Sequence, residues 1–504
     1  MLASVATFAI EGVDSVEVTV EVDVRRGLPA FSVVGLPDAA VREARERVRA
    51  ALLNSRLEFP LKRLTANLAP ADLRKSGPSF DLALAVALLA ASGQVPLEPL
   101  RSCAVCGELS LGGALRPVPG AIALALGARR AGYRRLIVPV ENAAEAALME
   151  GVEVVGTHSL EEMAELLRGD RQAQPARPQP VAEPPGEELD LADVHGQADA
   201  RRALEIAAAG GHHLLMMGPP GVGKTMLARR LPGILPPPAP EEALEITRVQ
   251  SVAGLSDGRL ARRRPFRAPH HTISPAGLIG GGSSPRPGEI TLAHRGVLFL
   301  DELAEFSRAA LEALRQPLEA GRVEITRRQR TLTFPASFVL VGACNDCPCG
   351  RSSIECDCGE LLKARYRRRL SGPLLDRIDI VCSLDPAPAE PLPEEPAPET
   401  TSAAARRRVA AARERAQRRL LGTAILSNAA MPPRETRSLV RLEPQARTRL
   451  LEGSRLAPLS GRGRDRVLRL ARTIADLAGT ERVLSAHVDE ALSYRIGSPW
   501  RVAA

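Results

Sequence analysis

The sequence runs to 504 residues, 45% of them hydrophobic, with 67 basic against 59 acidic side chains and a net charge of +8. That is too long for one core and apolar enough for roughly two to four domains. No apolar run reaches the ~18–20 residues of a membrane span, and Met1–Gly12 has neither a basic start nor a small-residue cleavage site, so the chain reads as cytoplasmic with no membrane partner.

Two proline-rich stretches divide the chain. Residues 171–186 (within them QAQPARPQPVAEPPG) and the acidic 385–401 lack any apolar period and read as exposed linkers. They leave three expected domains, 1–170, 187–384 and 402–504. The first opens on strict alternation over Val16–Val24, a half-buried strand. Helical patterns follow at Ala39–Ser55 and Ser79–Ser92, then short strands at Ala104–Leu109 and Leu136–Pro139, so this piece mixes α and β. The middle piece alternates strands and helices, as a parallel sheet requires. The last piece has helical periods at Thr401–Leu421, Pro444–Leu451, Gly463–Ala478 and Ser485–Ile496.

The middle piece carries the chemistry. The apolar strand His213–Met217 runs into Gly218-Pro219-Pro220-Gly221-Val222-Gly223-Lys224-Thr225, and a helical pattern begins at Met226. This is G-x-x-x-x-G-K-[ST] in its strand–loop–helix context. Backbone N–H groups of such a loop close on phosphates at a helix N-terminus; Lys224 is expected on the β- and γ-phosphates of ATP and Thr225 on Mg²⁺. Lysine occurs at only four positions, Lys62, Lys75, Lys224 and Lys363, so Lys224 stands out where a phosphate needs a flexible point charge. A second strand, Gly296–Leu300, ends in Asp301 and Glu302, expected to position Mg²⁺ and to polarise the attacking water. A third, Ser337–Gly342, leads to Asn345, an amide able to contact the γ-phosphate. Arg377, in Leu-Leu-Asp-Arg-Ile-Asp, reads either as an arginine offered to a neighbouring site or as a surface ion pair with Asp376 or Asp379.

Of eight cysteines, five fall between Cys344 and Cys358, which is no disulfide framework. Cys347, Cys349, Cys356 and Cys358 form two C-x-C pairs able to hold a structural Zn²⁺. His270 and His271 are neighbours on an extended loop, expected to point apart and to serve structure or substrate rather than metal.

The stretches Arg264–Ser274 (RPFRAPHHTIS) and Gly280–Glu302 (GGGSSPRPGEITLAHRGVLFLDE) resemble the AAA+ subgroup of the magnesium-chelatase ATPase subunit and the minichromosome-maintenance helicases, and more closely the ComM/YifB family of magnesium-chelatase-like ATPases. The resemblance implies an α/β chain: a Lon-protease-like α+β N-terminal domain, an AAA+ P-loop ATPase core with a parallel sheet, and a C-terminal helical lid. By it Asn345 takes the sensor-1 role, Arg377 the arginine-finger role and Arg462 the sensor-2 role. Lys75–Ser79 resembles the loop of Lon's nucleophilic serine, but Ile122 falls where Lon's catalytic lysine should stand, so the domain is expected to lack protease chemistry.

In the helicases of this subgroup a hairpin projects into the ring's channel. Here Gly321–Pro335 reads as two strands around Arg327, Arg328 and Arg330, and a second basic cluster holds Arg262, Arg263, Arg264 and Arg267; both are expected to meet DNA phosphates. The implied function is an ATP-dependent DNA motor: a homo-hexameric branch-migration helicase of homologous recombination and natural transformation (competence), working on single-stranded or branched DNA beside recombination proteins. The alternatives are a chelatase-like remodeller of a protein partner and a Lon-like protease.

Overall fold

The computed structural model describes the chain apart from residues 37, 74, 76, 180–188, 283–285, 328–329, 352–355, 371, 386–397, 457–458 and 497–504. The alternating segment folds as the strand Asp14–Arg25, with Val18, Val20, Val22 and Val24 on the buried face. It pairs antiparallel with Leu2–Glu11 in a seven-stranded sheet ordered Ala30–Val34, Arg63–Ala69, Asp14–Arg25, Leu2–Glu11, Cys103–Val105, Arg135–Pro139, Glu153–Thr157. Alternation along the Leu2–Glu11 strand splits its neighbours. Ala3, Val5 and Ala9 join a core with the helix Asp81–Ala91, while Ala6 and Phe8 pack with the helix Ala121–Arg130. The helix Asp81–Ala91 is buried along its whole length, as its lack of a polar face demands.

The expected exposed linker begins otherwise. Pro175 bridges Val155 antiparallel, Ala176 N–H donates to the Val154 carbonyl at 2.8 Å, and Arg171 pairs with Glu162 at 2.6 Å. Residues 171–176 therefore cover the open edge of the Glu153–Thr157 strand. Proline can do this because an edge needs only some of its N–H groups.

The second sheet has five strands, all parallel, in the order Phe266–Arg267, Val297–Leu300, Val339–Cys344, Leu214–Met217, Ile380–Ser383. The strands Leu214–Met217, Val297–Leu300 and Val339–Cys344 are buried throughout, which is why they read as unbroken apolar runs. Helices Ser402–Leu420, Pro433–Leu439, Pro444–Leu456, Gly461–Ala478 and Ser485–Ile496 follow. Their apolar faces do not close a core of their own. Ala405, Val409, Leu470 and Ile474 share one cluster with Leu214, Met216 and Leu227 of the sheet and its first helix.

The first sheet docks on the second unit through the helix Pro240–Val252. Gly120 N–H donates to the Ser251 carbonyl at 3.1 Å, and Arg248 meets Asp14 at 3.1 Å. Val13, at the turn between the first two strands, enters the same cluster as Phe334 of the hairpin Arg322–Arg327/Arg330–Pro335. Among the described residues no helix is long and apolar enough to cross a membrane.

Candidate active site

The loop 218–225 leaves the C-terminal end of the strand Leu214–Met217, which lies between the central strand and the edge strand Ile380–Ser383, where an open parallel sheet places its ligand crevice. Gly218 is required by closeness: a Cβ there would lie 2.3 Å from the Leu384 carbonyl oxygen. Gly223 stands at φ 96°, a left-handed conformation, and the helix Lys224–Ile234 starts directly after it. Lys224 Nζ donates to the carbonyls of Gly218 and Pro219 (2.8 Å) and to Asn345 Oδ1 at 3.0 Å. Burial pushes its pKa below the ordinary lysine value, with Asp301 and Asp346 opposing. The lysine thus occupies a loop closed on itself, and the Asn345 amide at the end of the neighbouring strand faces the same point.

Thr225 Oγ1 donates to Asp301 Oδ2 at 2.7 Å. Two oxygens bound side by side to an octahedral Mg²⁺ at 2.0–2.1 Å lie about 3 Å apart, so this pair fits that ion. Asp301 Oδ1 also accepts from Glu302 N–H at 3.0 Å. Glu302 itself has φ 51°, costly for a side chain bearing a Cβ. Its carboxylate is half-exposed and meets His271 Nδ1 at 3.2 Å. The histidine pair departs from expectation. The rings of His270 and His271 do not point apart but lie 4.1 Å centre to centre, with His271 edge-on to Phe306. His271 was therefore missed as a neighbour of Glu302. Its signal was the unexplained His-His in the stretch that carried the resemblance.

Arg377 sits at the other end of the sheet. Leu214 pairs with Ile380 and Met217 with Ser383, so Arg377 precedes the N-terminal end of the edge strand while the loop follows the C-terminal end of its neighbour. Four strand residues at ~3.3 Å each keep them at least ~13 Å apart. Arg377 pairs with Glu319 rather than with Asp376 or Asp379. It lines a shallow depression of about 380 Å³ with Glu312, Arg315, Gln316, Glu319 and Ala320. Glu319 is held below the usual carboxylate range by Arg377, with Arg462 and Arg315 contributing charge. Arg462, exposed at the start of the helix Gly461–Ala478, thus belongs to the same face as Arg377. One turn on, Arg466 takes the carboxylates of Asp376 (3.9 Å) and Asp379 (3.8 Å).

The sulfurs of Cys347, Cys349, Cys356 and Cys358 all lie within 4.8 Å of one another, with Cys347–Cys356 at 3.3 Å, Cys347–Cys349 at 3.4 Å and Cys349–Cys356 at 3.6 Å. Tetrahedral Zn–S bonds of ≈ 2.3 Å put sulfurs about 3.8 Å apart, and the four thiols fit that ion.

The basic residues divide. The hairpin pairs Arg327 with Arg330 at its tip, and Arg328 lies outside the described residues. Arg263 is exposed. Arg264 corrects the expectation of DNA contact, and Arg267 is already paired within the chain. Arg264 is buried against Glu242 and the carbonyls of Pro236 and Arg295 (both 2.9 Å), and Arg267 makes a bidentate pair with Glu289 at 2.6 and 2.7 Å. Arg264 is thereby enclosed, whereas the Arg267 side chain stays 36% exposed in its ion pair.

In the first domain Ile122 is wholly buried on the helix Ala121–Arg130, and Lys75, also buried, gives its amine to the Pro70 carbonyl. Asp81, two residues after Ser79, is buried against Arg47 at 2.7 and 2.9 Å.

The family models for magnesium chelatase subunit ChlI match in three parts: residues 20–142, residues 190–392, and, for its C-terminal region, residues 399–495. YifB of Escherichia coli K12 is 44% identical over 498 residues, and competence protein ComM of Haemophilus influenzae is 42% identical over 504. Each alignment covers 98% of this chain and 97% of the relative. Shorter likenesses reach Lon protease 2 of Bacillus subtilis (31% over 139 residues, 26% of this chain and 25% of the protease) and a RuvB subunit of the Holliday junction branch migration complex from Synechococcus (33% over 167 residues, 30% and 36%). The family carries ATP and Mg²⁺ with it, and the parallel sheet and its loop are what those ligands require. The chain belongs to the ComM/YifB family of magnesium-chelatase-like AAA+ proteins.

Proposed function

We propose that the chain is an ATP-hydrolysing motor that assembles as a homo-hexameric ring and moves DNA, driving branch migration in recombination during natural transformation. The observation that carries this reading is the placement of Lys224, Thr225, Asp301 and Asn345 at one end of the parallel sheet and of Arg377 at the other. An arginine that cannot reach its own chain's phosphates is suited to a neighbour's, where such a residue is worth roughly 10³–10⁵ in turnover. In this reading Lys224 meets the β- and γ-phosphates, Thr225 and Asp301 hold Mg²⁺, and Glu302 orients the attacking water. Asn345 serves as sensor 1, and the C-terminal helices form a lid whose Arg462 is sensor 2. Phosphate contacts fall to the hairpin arginines 327, 328 and 330 and to Arg263. The names of ComM and of the RuvB subunit support DNA as the track.

The first domain is a Lon-like fold without protease chemistry, since Ile122 offers no base and Lys75 is committed elsewhere. The four cysteines hold a structural Zn²⁺, and the protein works in the cytoplasm. A second reading, a chelatase-like remodeller of a protein partner, is favoured by the three chelatase family matches. ATPase rates with and without branched DNA, beside unwinding of a three-stranded junction, separate the two. DNA-stimulated turnover with junction migration supports the motor; failure to bind DNA at low salt overturns it.

A further inference from the structure

At the end of the sheet remote from the phosphate loop lies a polar network closed to water. His212 is fully buried, with Nδ1–H donating to Asp379 Oδ2 at 3.2 Å and Nε2 facing Thr473 Oγ1 at 2.8 Å. Asn428 Nδ2 reaches both Thr473 Oγ1 (3.0 Å) and Asp476 Oδ2 (2.8 Å). The space was made for this. A Cβ on Gly210 would lie 2.4 Å from the His212 ring and 2.5 Å from Thr473 Oγ1. The backbone repeats the tie, since the His213 carbonyl accepts from both Asp379 (3.1 Å) and Ile380 (3.0 Å). Burial opposes the charge on Asp379, but His212, Arg469 and Arg466 together hold it well below the usual carboxylate range.

Asp379 stands two residues after Arg377. Thr473, Asp476 and Arg466 stand on the helix Gly461–Ala478, which carries Arg462 in its first turn. A buried carboxylate and a buried imidazole that, among the described residues, satisfy only each other and that helix cannot part without leaving both unpaired. We infer that His212 is a positioning residue for the arginine face: the relay Asp379–His212–Thr473, clamped by Arg466, binds the turn 376–379 to the helix Gly461–Ala478, so that Arg377 and Arg462 are presented to a neighbouring chain as one rigid unit. This rests on the reading of Arg377 as an arginine supplied to a neighbour. It assigns His212, which lies directly before its own chain's phosphate strand, to the neighbour's reaction instead.

The test uses the full chain with His212→Gln and the near-isosteric Thr473→Val. Each should keep binding of a fluorescent ATP analogue within about twofold while ATP turnover falls at least tenfold, a fraction of what a missing arginine costs. Each is then mixed with an equal amount of Glu302→Gln, whose own site is silent but whose arginine face is intact. Where a relay variant's site meets a Glu302→Gln neighbour, turnover returns, and random mixing restores about a quarter of the wild-type rate per chain. Arg377→Ala in the same mixture is the reference. If Arg377→Ala is not rescued, the neighbour reading of Arg377 itself fails. If it is rescued while His212→Gln and Thr473→Val are not, or if these two never lose turnover, the inference is overturned. Should His212→Gln not fold, Thr473→Val decides alone.

Discussion

Gly210→Ala sets two effects of opposite sign against each other. Gly210 closes the helix Ala198–Gly210, and alanine in place of a helical glycine ordinarily stabilises by about 1 kcal/mol. The new methyl would stand 2.4 Å from Cδ2 and Nε2 of His212 and 2.5 Å from Thr473 Oγ1. Neither neighbour can swing aside, because the ring is held at both nitrogens. Overpacking of this kind costs about 1–3 kcal/mol, and losing the His212–Thr473 hydrogen bond adds about 1. The clash outweighs propensity, and the net is a destabilisation of about 1–3 kcal/mol. Gly453→Ala is the matched control. Its methyl would lie 2.5 Å from Leu492 Cδ1, the far end of a flexible side chain, so a rotamer change absorbs it and the change stays within about 1 kcal/mol. Urea unfolding followed by circular dichroism reads both, with hydrogen exchange on the helix Gly461–Ala478 to locate the loss. A Gly210→Ala protein as stable as wild type, or a Gly453→Ala protein equally weakened, would refute the reasoning.

Glu319→Gln releases Arg377 from a surface ion pair worth about 0–1 kcal/mol, so turnover should rise by up to about fivefold in an ATPase assay; a tenfold fall would mean that Glu319 acts in the reaction instead. The Glu245 carboxylate accepts from His294 and Arg295, and these hold its pKa at about 2 against an ordinary 4.5. A depressed acid stabilises the fold fully above its ordinary value and loses that contribution as pH falls through the folded one. Acid unfolding should therefore steepen between pH 4.5 and 2, and Glu245→Gln should flatten that window in thermal melts across pH. Purified protein should carry one equivalent of zinc per chain by elemental analysis, released by chelator. Cys349→Ser with full zinc retention would dismiss the tetrahedral site.

The phosphate loop, the two carboxylates and Asn345 were legible in the sequence because each obeys a local rule. A strand must end where the ligand crevice begins, so position along the chain predicts position in the site. The arginines were not, because a guanidinium reads alike whether it meets water, phosphate or a carboxylate far along the chain. Arg264 and Arg267 looked like a basic patch until Glu242 and Glu289 came round to meet them. Arg462 and Arg466 are alike one turn apart in the sequence, and only in the structure does Arg466 meet Asp376 and Asp379. His212 had no local signature at all, since its partners Asp379 and Thr473 lie 167 and 261 residues away. The Pro-rich segment misled for a related reason. Composition reports what cannot form a core, not what can lie along an exposed strand edge.

The turn that joins the first two strands is also a point of leverage. Val13 is buried beneath the hairpin beside Phe334, and Gly12 lies so close that a Cβ would come within 3.2 Å of the Thr333 carbonyl oxygen. The hairpin's six-residue strands form an arm of about 20 Å. A sideways push at its tip becomes a torque about this contact, resisted by Val13, by the ion pair of Asp14 with Arg248, and through them by a ten-residue strand at the centre of the first sheet. The base of the hairpin is therefore seated on the N-terminal domain, and any force applied at the tip would be taken up there.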